Sequence, residues 1–99
     1  MTIAIAIAVA MAALLLGGCA AAPVQEMSDA RQAIMAAEQS GAAEHAPEQL
    51  NQARNLLARA EQNLKVRSFE LAREEAVEAR ARATEALFLA DAARRVRRD

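Results

Sequence analysis

Small and apolar residues recur at alternating three- and four-residue steps through most of this chain. Met27, Ala30, Ile34, Ala37 and Gly41 form one seam. Leu50, Ala53, Leu57, Ala60 and Leu64 form a second, and Phe69, Ala72, Ala76, Ala79, Ala83, Ala86, Ala90 and Ala93 a third. Such steps keep residues on one face of a helix and let helices pack side by side. Leu56, Val77, Leu87, Phe88 and Leu89 are expected to widen the apolar face beside the seams. The pattern predicts an all-α fold with helices over about residues 24–41, 47–65 and 68–97. Their arrangement is either an alanine-rich helical hairpin or a three-helix antiparallel coiled-coil bundle.

The breaks follow from local chemistry. Ser40-Gly41 weakens the first helix, and Pro47 suits the first position of the second. Between Leu64 and Phe69 there is neither Gly nor Pro, yet the seam jumps by five residues, which would rotate the apolar face off its neighbour. Ser68 can cap a new helix with Glu70 in its first turn, so a turn is expected near residues 65–68. The alternative is one helix running unbroken from residue 47 to the end, about 75 Å long.

Ahead of this body lies a different kind of sequence. Every charge falls at Glu26 or later, and residues 3–16, "IAIAIAVAMAALLL", are apolar throughout. That run is shorter than the ~20 residues a membrane span needs and fits the apolar core of a secretory signal. Its amino end departs from the usual pattern, since "MTIAIAIA" has no Lys or Arg. Small residues and the only cysteine come next. The order Leu16-Gly17-Gly18-Cys19 resembles the bacterial lipobox: an aliphatic residue, two small ones, then cysteine. That resemblance implies cleavage between Gly18 and Cys19, a diacylglyceryl group on the Cys19 thiol and acylation of the new amine. One acyl chain holds a protein only marginally, whereas several hold it durably. Ala20, rather than Asp, after the cysteine implies the outer membrane by the same resemblance. The alternative is an uncleaved anchor over about residues 2–22, holding the chain at the inner membrane. On the first reading residues 1–18 are the signal, 19–26 a tether and 27–99 the helical domain.

Composition narrows the classes further. Twelve Lys+Arg balance thirteen Asp+Glu for a net charge of −1, so no global field points to nucleic acid or to an acidic substrate. Phe69 and Phe88 are the only aromatics, too few for a base-stacking platform. Alanine supplies much of the apolar fraction; it favours helix strongly and fills a core weakly. A chain of this length with so little bulky core is marginally stable alone, so partner helices or self-association are expected. The pairs Glu61–Lys65, Glu78–Arg82 and Asp91–Arg95 are spaced for one helix face, each worth about 0.2–0.5 kcal/mol, and read as a solvated surface.

The stretch "GAAEHAPEQLNQARNLLARAEQNL" followed by "FELAREEAVEARARA" resembles a family of small, alanine-rich bacterial lipoproteins known as a domain of unknown function, DUF4398. The positions that carry the resemblance are Gly41, Ala42, Ala46, Pro47, Leu50, Ala53, Leu57, Ala60 and Leu64. Phe69 and the ladder Ala72, Ala76, Ala79 and Ala83 continue it, over about residues 27–93. The resemblance implies location and shape; it supplies neither an activity nor catalytic residues. Some relatives continue into a peptidoglycan-binding domain, whose activity is not carried over to these residues.

No catalytic or metal constellation assembles from the sequence, and neither an enzyme nor a cofactor is expected. His45, the only histidine, lies in "EHAPE" near Glu44 and Glu48, where one imidazole makes a poor metal site; it reads as a surface histidine. The tail "RRVRR" places Arg94, Arg95, Arg97 and Arg98 together. It reads either as cations favoured by a helix dipole or as a contact to an anionic surface such as lipopolysaccharide, peptidoglycan or an acidic protein. The expected function is a structural or protein-interaction lipoprotein of the outer membrane, its body in the periplasm. The alternative is a peptide- or glycan-binding helical module, which an exposed groove lined by Leu56, Val77 and Phe88 would favour.

Overall fold

The structure, a computed structural model, describes residues 2–17 and 21–98. Among these the chain is all-α. Helix α1 spans Thr2–Gly17, α2 Val24–Gln39, α3 Ala42–His45, α4 Pro47–Lys65 and α5 Phe69–Arg98. The body is a three-helix bundle in which α5 packs against both α4 and α2. The single-turn α3 closes one end, against α4 and α5.

The alanine seams are the core. Met27, Ala30, Ile34 and Ala37 of α2 are buried, with Leu50, Ala53 and Ala60 of α4 and Ala72, Ala76, Ala79, Ala83, Ala86 and Ala90 of α5. Most of these positions carry one methyl, which lets helix axes approach at the short end of the ~8–10 Å range. Two clusters result. Around Met27 and Ala30 lie Ala60, Ala76 and Ala79. Around Ile34 and Ala37 lie Ala42, Ala46, Leu50, Ala53, Ala83, Ala86 and Ala90. Leu57 packs against both and joins them. No polar or charged side chain is buried among the described residues. The widening of the apolar face is smaller than the sequence suggests. Leu56 and Leu87 pack against the clusters, but Val77, Phe88 and Leu89 are exposed. They stand on the sides of α5 away from its alanine ladder.

Each helix end has its own chemistry. Helix α2 stops at Gln39 rather than continuing to residue 41, because Gly41 adopts φ +86°. Its N–H donates to the Glu38 carbonyl, and its own carbonyl accepts from Glu44 and His45, which starts α3. Pro47 occupies the start of α4 as expected, with Ala46 before it. The expected turn near residues 65–68 is present, and α4 and α5 are separate helices. It is built by Arg67 at φ +63°. The Ser68 N–H donates to Asn63 O at 2.8 Å and the Arg67 N–H to Leu64 O at 3.1 Å. This is the Schellman arrangement, with arginine where glycine is usual. The Arg67 guanidinium stacks over the Phe69 ring, 5.4 Å from its centroid. Ser68 precedes α5 as expected but serves it through its carbonyl, which accepts from the Ala72 N–H at 3.0 Å.

The ion pairs differ from those the spacing suggests. Glu61 meets Arg31 of α2 at 3.5 Å rather than Lys65, and Arg82 meets Glu85 at 2.8 Å rather than Glu78. Asp91 and Arg95 form no ion pair with each other among the described residues. Most pairs instead join helices: Glu38–Arg54 at 3.2 Å, Glu26–Arg73 at 3.3 Å, Asp29–Arg80 at 3.9 Å and Glu44–Arg97 at 3.7 Å. They record the topology. As partners on α2 advance from Arg31 to Glu38, those on α4 retreat from Glu61 to Arg54, so these two run antiparallel. Partners of α2 on α5 advance together, from Glu26–Arg73 to Asp29–Arg80, so that pair is parallel.

Candidate functional site

Gly18 and Cys19, the residues expected to be cleaved and lipidated, lie outside the described residues. The entry to the bundle just after them is well defined. Pro23 is one of the largest fully buried side chains, and α2 begins at Val24, inside the segment expected to serve as a tether. The Met27 N–H donates to the Pro23 carbonyl at 3.0 Å, so the proline also supplies the first acceptor of α2. Arg73 of α5 reaches across to this entry. Its Nη2 donates to the Ala21 carbonyl at 3.2 Å, its Nε meets Glu26 at 3.3 Å and its Nη1 meets Glu70 at 3.4 Å. The chain is therefore fastened to the bundle from Ala21 onward. Sequence reasoning missed this clamp, because Arg73 and Ala21 are far apart in the chain and neither stands in a motif. The only local signal was a proline just ahead of a helix.

This end of the bundle also carries the turn between α4 and α5. Helix α2 enters here, α4 leaves and α5 begins, so Val24, Val66 and Leu71 gather at one end, all exposed. Lys65 and Arg67 lie beside them. Asn63 donates from its side-chain amide to the Glu75 carboxylate across the turn.

The opposite end holds α3 and the arginine-rich tail. Helix α5 continues through Arg98, so the four arginines fan around it. Arg97 faces α3 and meets Glu44 at 3.7 Å. Arg94, Arg95 and Arg98 line a shallow surface recess with Asp91. The tail is thus one exposed ion pair to α3 and three cations on a common side. His45 is more enclosed than a surface histidine: its side chain is 15% exposed and packs at the Gly41 turn, with Nε2 3.8 Å from Glu44. Among the described residues no group of three or more His, Cys, Asp or Glu side chains is placed to hold a metal ion.

The groove expected of a peptide- or glycan-binding module does not assemble. Leu56 borders a recess whose other walls are Gln52, Asn55, Arg59, Glu78 and Arg82. Val77 and Phe88 are not part of it; they are 54% and 70% exposed on α5. A further shallow recess between α2 and α5 is lined by Asp29, Gln32, Ala33, Ala36, Arg80, Thr84 and Leu87.

A bundle zipped by alanine, with an apolar core and charges confined to its surface, defines a helical scaffold. The model of the family described as "Domain of unknown function (DUF4398)" matches residues 25–98, and the chain belongs to that family. The match covers the whole bundle from the first turn of α2 to the end of α5. No curated protein and no solved structure matches the chain significantly.

Proposed function

We propose that this chain is a lipid-anchored envelope protein: a helical body held at the periplasmic face of the outer membrane by acyl chains on Cys19, with a structural or protein-interaction role. The observation that carries this reading is the order Leu16-Gly17-Gly18-Cys19, placed directly after an uncharged apolar leader and directly before the charged body. A sole thiol at the border of two such segments is otherwise hard to explain. Helix α1 ends at Gly17, and no described helix is long and apolar enough to cross a membrane. The body supports a mechanical or docking role over chemistry. Its interior is alanine-rich and wholly apolar, and α5 is 30 residues long, which gives a rod of about 45 Å. Ala20 favours the outer membrane by its resemblance to the sorting preference of lipoproteins.

Density-gradient fractionation of cells producing the full chain or its Cys19→Ser variant tests the proposal. The unmodified sequence is expected with outer membranes, released by detergent but not by salt. The variant is expected with inner membranes or in the soluble fraction. Identical fractionation of the two would overturn lipid anchoring and favour an apolar anchor or none.

A further inference from the structure

Resting on that anchored reading, we propose that the bundle stands end-on against the bilayer. The surface it presents is the end formed by Val24, the turn Lys65–Arg67, Phe69 and Leu71, and the occupant of that surface is the lipid headgroup region itself.

Little free chain separates the bundle from its anchor. Ala21 is fastened by Arg73 and Pro23 is buried against the bundle. Cys19 is two residues from Ala21, and fully extended chain spans at most about 3.6 Å per residue. An acylated Cys19 therefore has roughly 7 Å of slack, about the thickness of one headgroup layer by the usual bilayer dimensions. The body has no room to drift away on a linker. An uncleaved apolar leader would bring the same end to the membrane, since it joins the bundle at the same point.

The same end exposes apolar side chains. Val24 is 72% exposed, Val66 68% and Leu71 48%. They are aliphatic side chains at a helix start, in a turn and in the first turn of the next helix. Phe69 is half-buried beneath the Arg67 guanidinium. Such residues fit the boundary between headgroups and acyl chains.

Charge at this end is of the matching sign. The carboxylates nearest it, Glu26 and Glu70, both face Arg73. Lys65 and Arg67 form no ion pair among the described residues and are exposed. Two cations on long stems beside exposed aliphatic groups suit an anionic headgroup layer, where the stems lie among apolar groups and the charges stay wet. The other end is richer in arginine but lies about 40 Å away along α5. On this placement Arg94, Arg95 and Arg98 point toward the far side of the periplasmic space, away from the bilayer.

The test uses the full-length, membrane-processed protein with one added cysteine, Val66→Cys or Glu48→Cys, both at exposed positions. Each is labelled with a polarity-sensitive fluorophore after purification and reconstituted in vesicles of phosphatidylethanolamine and phosphatidylglycerol containing a headgroup nitroxide lipid. Intact mass reports acylation of Cys19 in the same sample, and circular dichroism reports the helical fold. The expected result is loss of fluorescence at position 66 with none at position 48. Equal fluorescence at both positions in acylated protein, or loss at position 48 alone, would overturn the end-on placement while leaving the anchor intact. Protein without acyl mass that fails to join the vesicles would overturn the anchored reading and this placement with it.

Discussion

The Arg73 guanidinium donates to the carbonyl of Ala21 at 3.2 Å, across 52 residues of sequence. That contact ties the entry of the chain to the helix that serves as spine of the bundle. It is a charge-assisted bond at a partly exposed side chain, worth about 1 kcal/mol after solvent screening. Arg73→Ala is therefore expected to leave the global fold standing. It should speed amide hydrogen exchange over residues 21–27 while leaving α4 protected. Unchanged exchange at those residues would show that the buried Pro23 alone holds the entry.

Leu50 is the only fully buried leucine of the two core clusters, and it sits among alanines that cannot move in to replace it. Leu50→Ala is expected to cost about 2–5 kcal/mol. In a body with so small a core, that is a large share of the total stability. Thermal or urea unfolding followed by circular dichroism should show a clearly lowered midpoint. A shift as small as that of an exposed control, Glu48→Ala, would contradict the assigned core.

Alanine at the centre of α5 is a requirement of helix spacing. Ala83 is fully buried, and a larger side chain there has to push the helices apart. Ala83→Leu should destabilise by about 1–3 kcal/mol despite adding apolar surface. Ala81→Leu, on the exposed side of the same helix, should be nearly neutral. The unfolding midpoints of the two variants decide it, and equal midpoints would mean the ladder is not the packing face.

The pair Glu38–Arg54 reports the antiparallel register of α2 on α4. Both side chains are almost half exposed, so the pair contributes no more than about 1 kcal/mol. Either single reversal, Glu38→Arg or Arg54→Glu, should lower the midpoint slightly by setting like charges together. The double reversal should restore it. Additive losses in the double variant would argue for a different register.

Two turns depend on left-handed backbone, and they differ in how visible they are. Gly41 at φ +86° ends α2, and Gly41→Ala should cost about 1 kcal/mol through backbone strain, since an added methyl would meet only His45 at an ordinary 3.5 Å. The sequence points to this break, because serine and glycine are adjacent. It also points to the break at Pro47. The turn at Arg67 had no Gly or Pro to mark it; the five-residue jump of the seam and Ser68 as a cap pointed to it, while its hydrogen-bonding pattern was beyond sequence reasoning. The alanine ladders were legible because helical period is written into the chain at every turn. The ion pairs were not, because spacing along one helix says nothing about the carboxylates that a neighbouring helix brings closer. His45 shows the same limit: its partial burial at the Gly41 turn was not legible from its own neighbours in sequence.

On the proposed reading, anchoring through Cys19 would give the bundle a location and its two ends distinct roles. The intact mass of the protein isolated from membranes tests it most directly. The predicted species begins at Cys19 and carries three acyl chains. A polypeptide that still begins at Met1 with an unmodified thiol would contradict lipid anchoring.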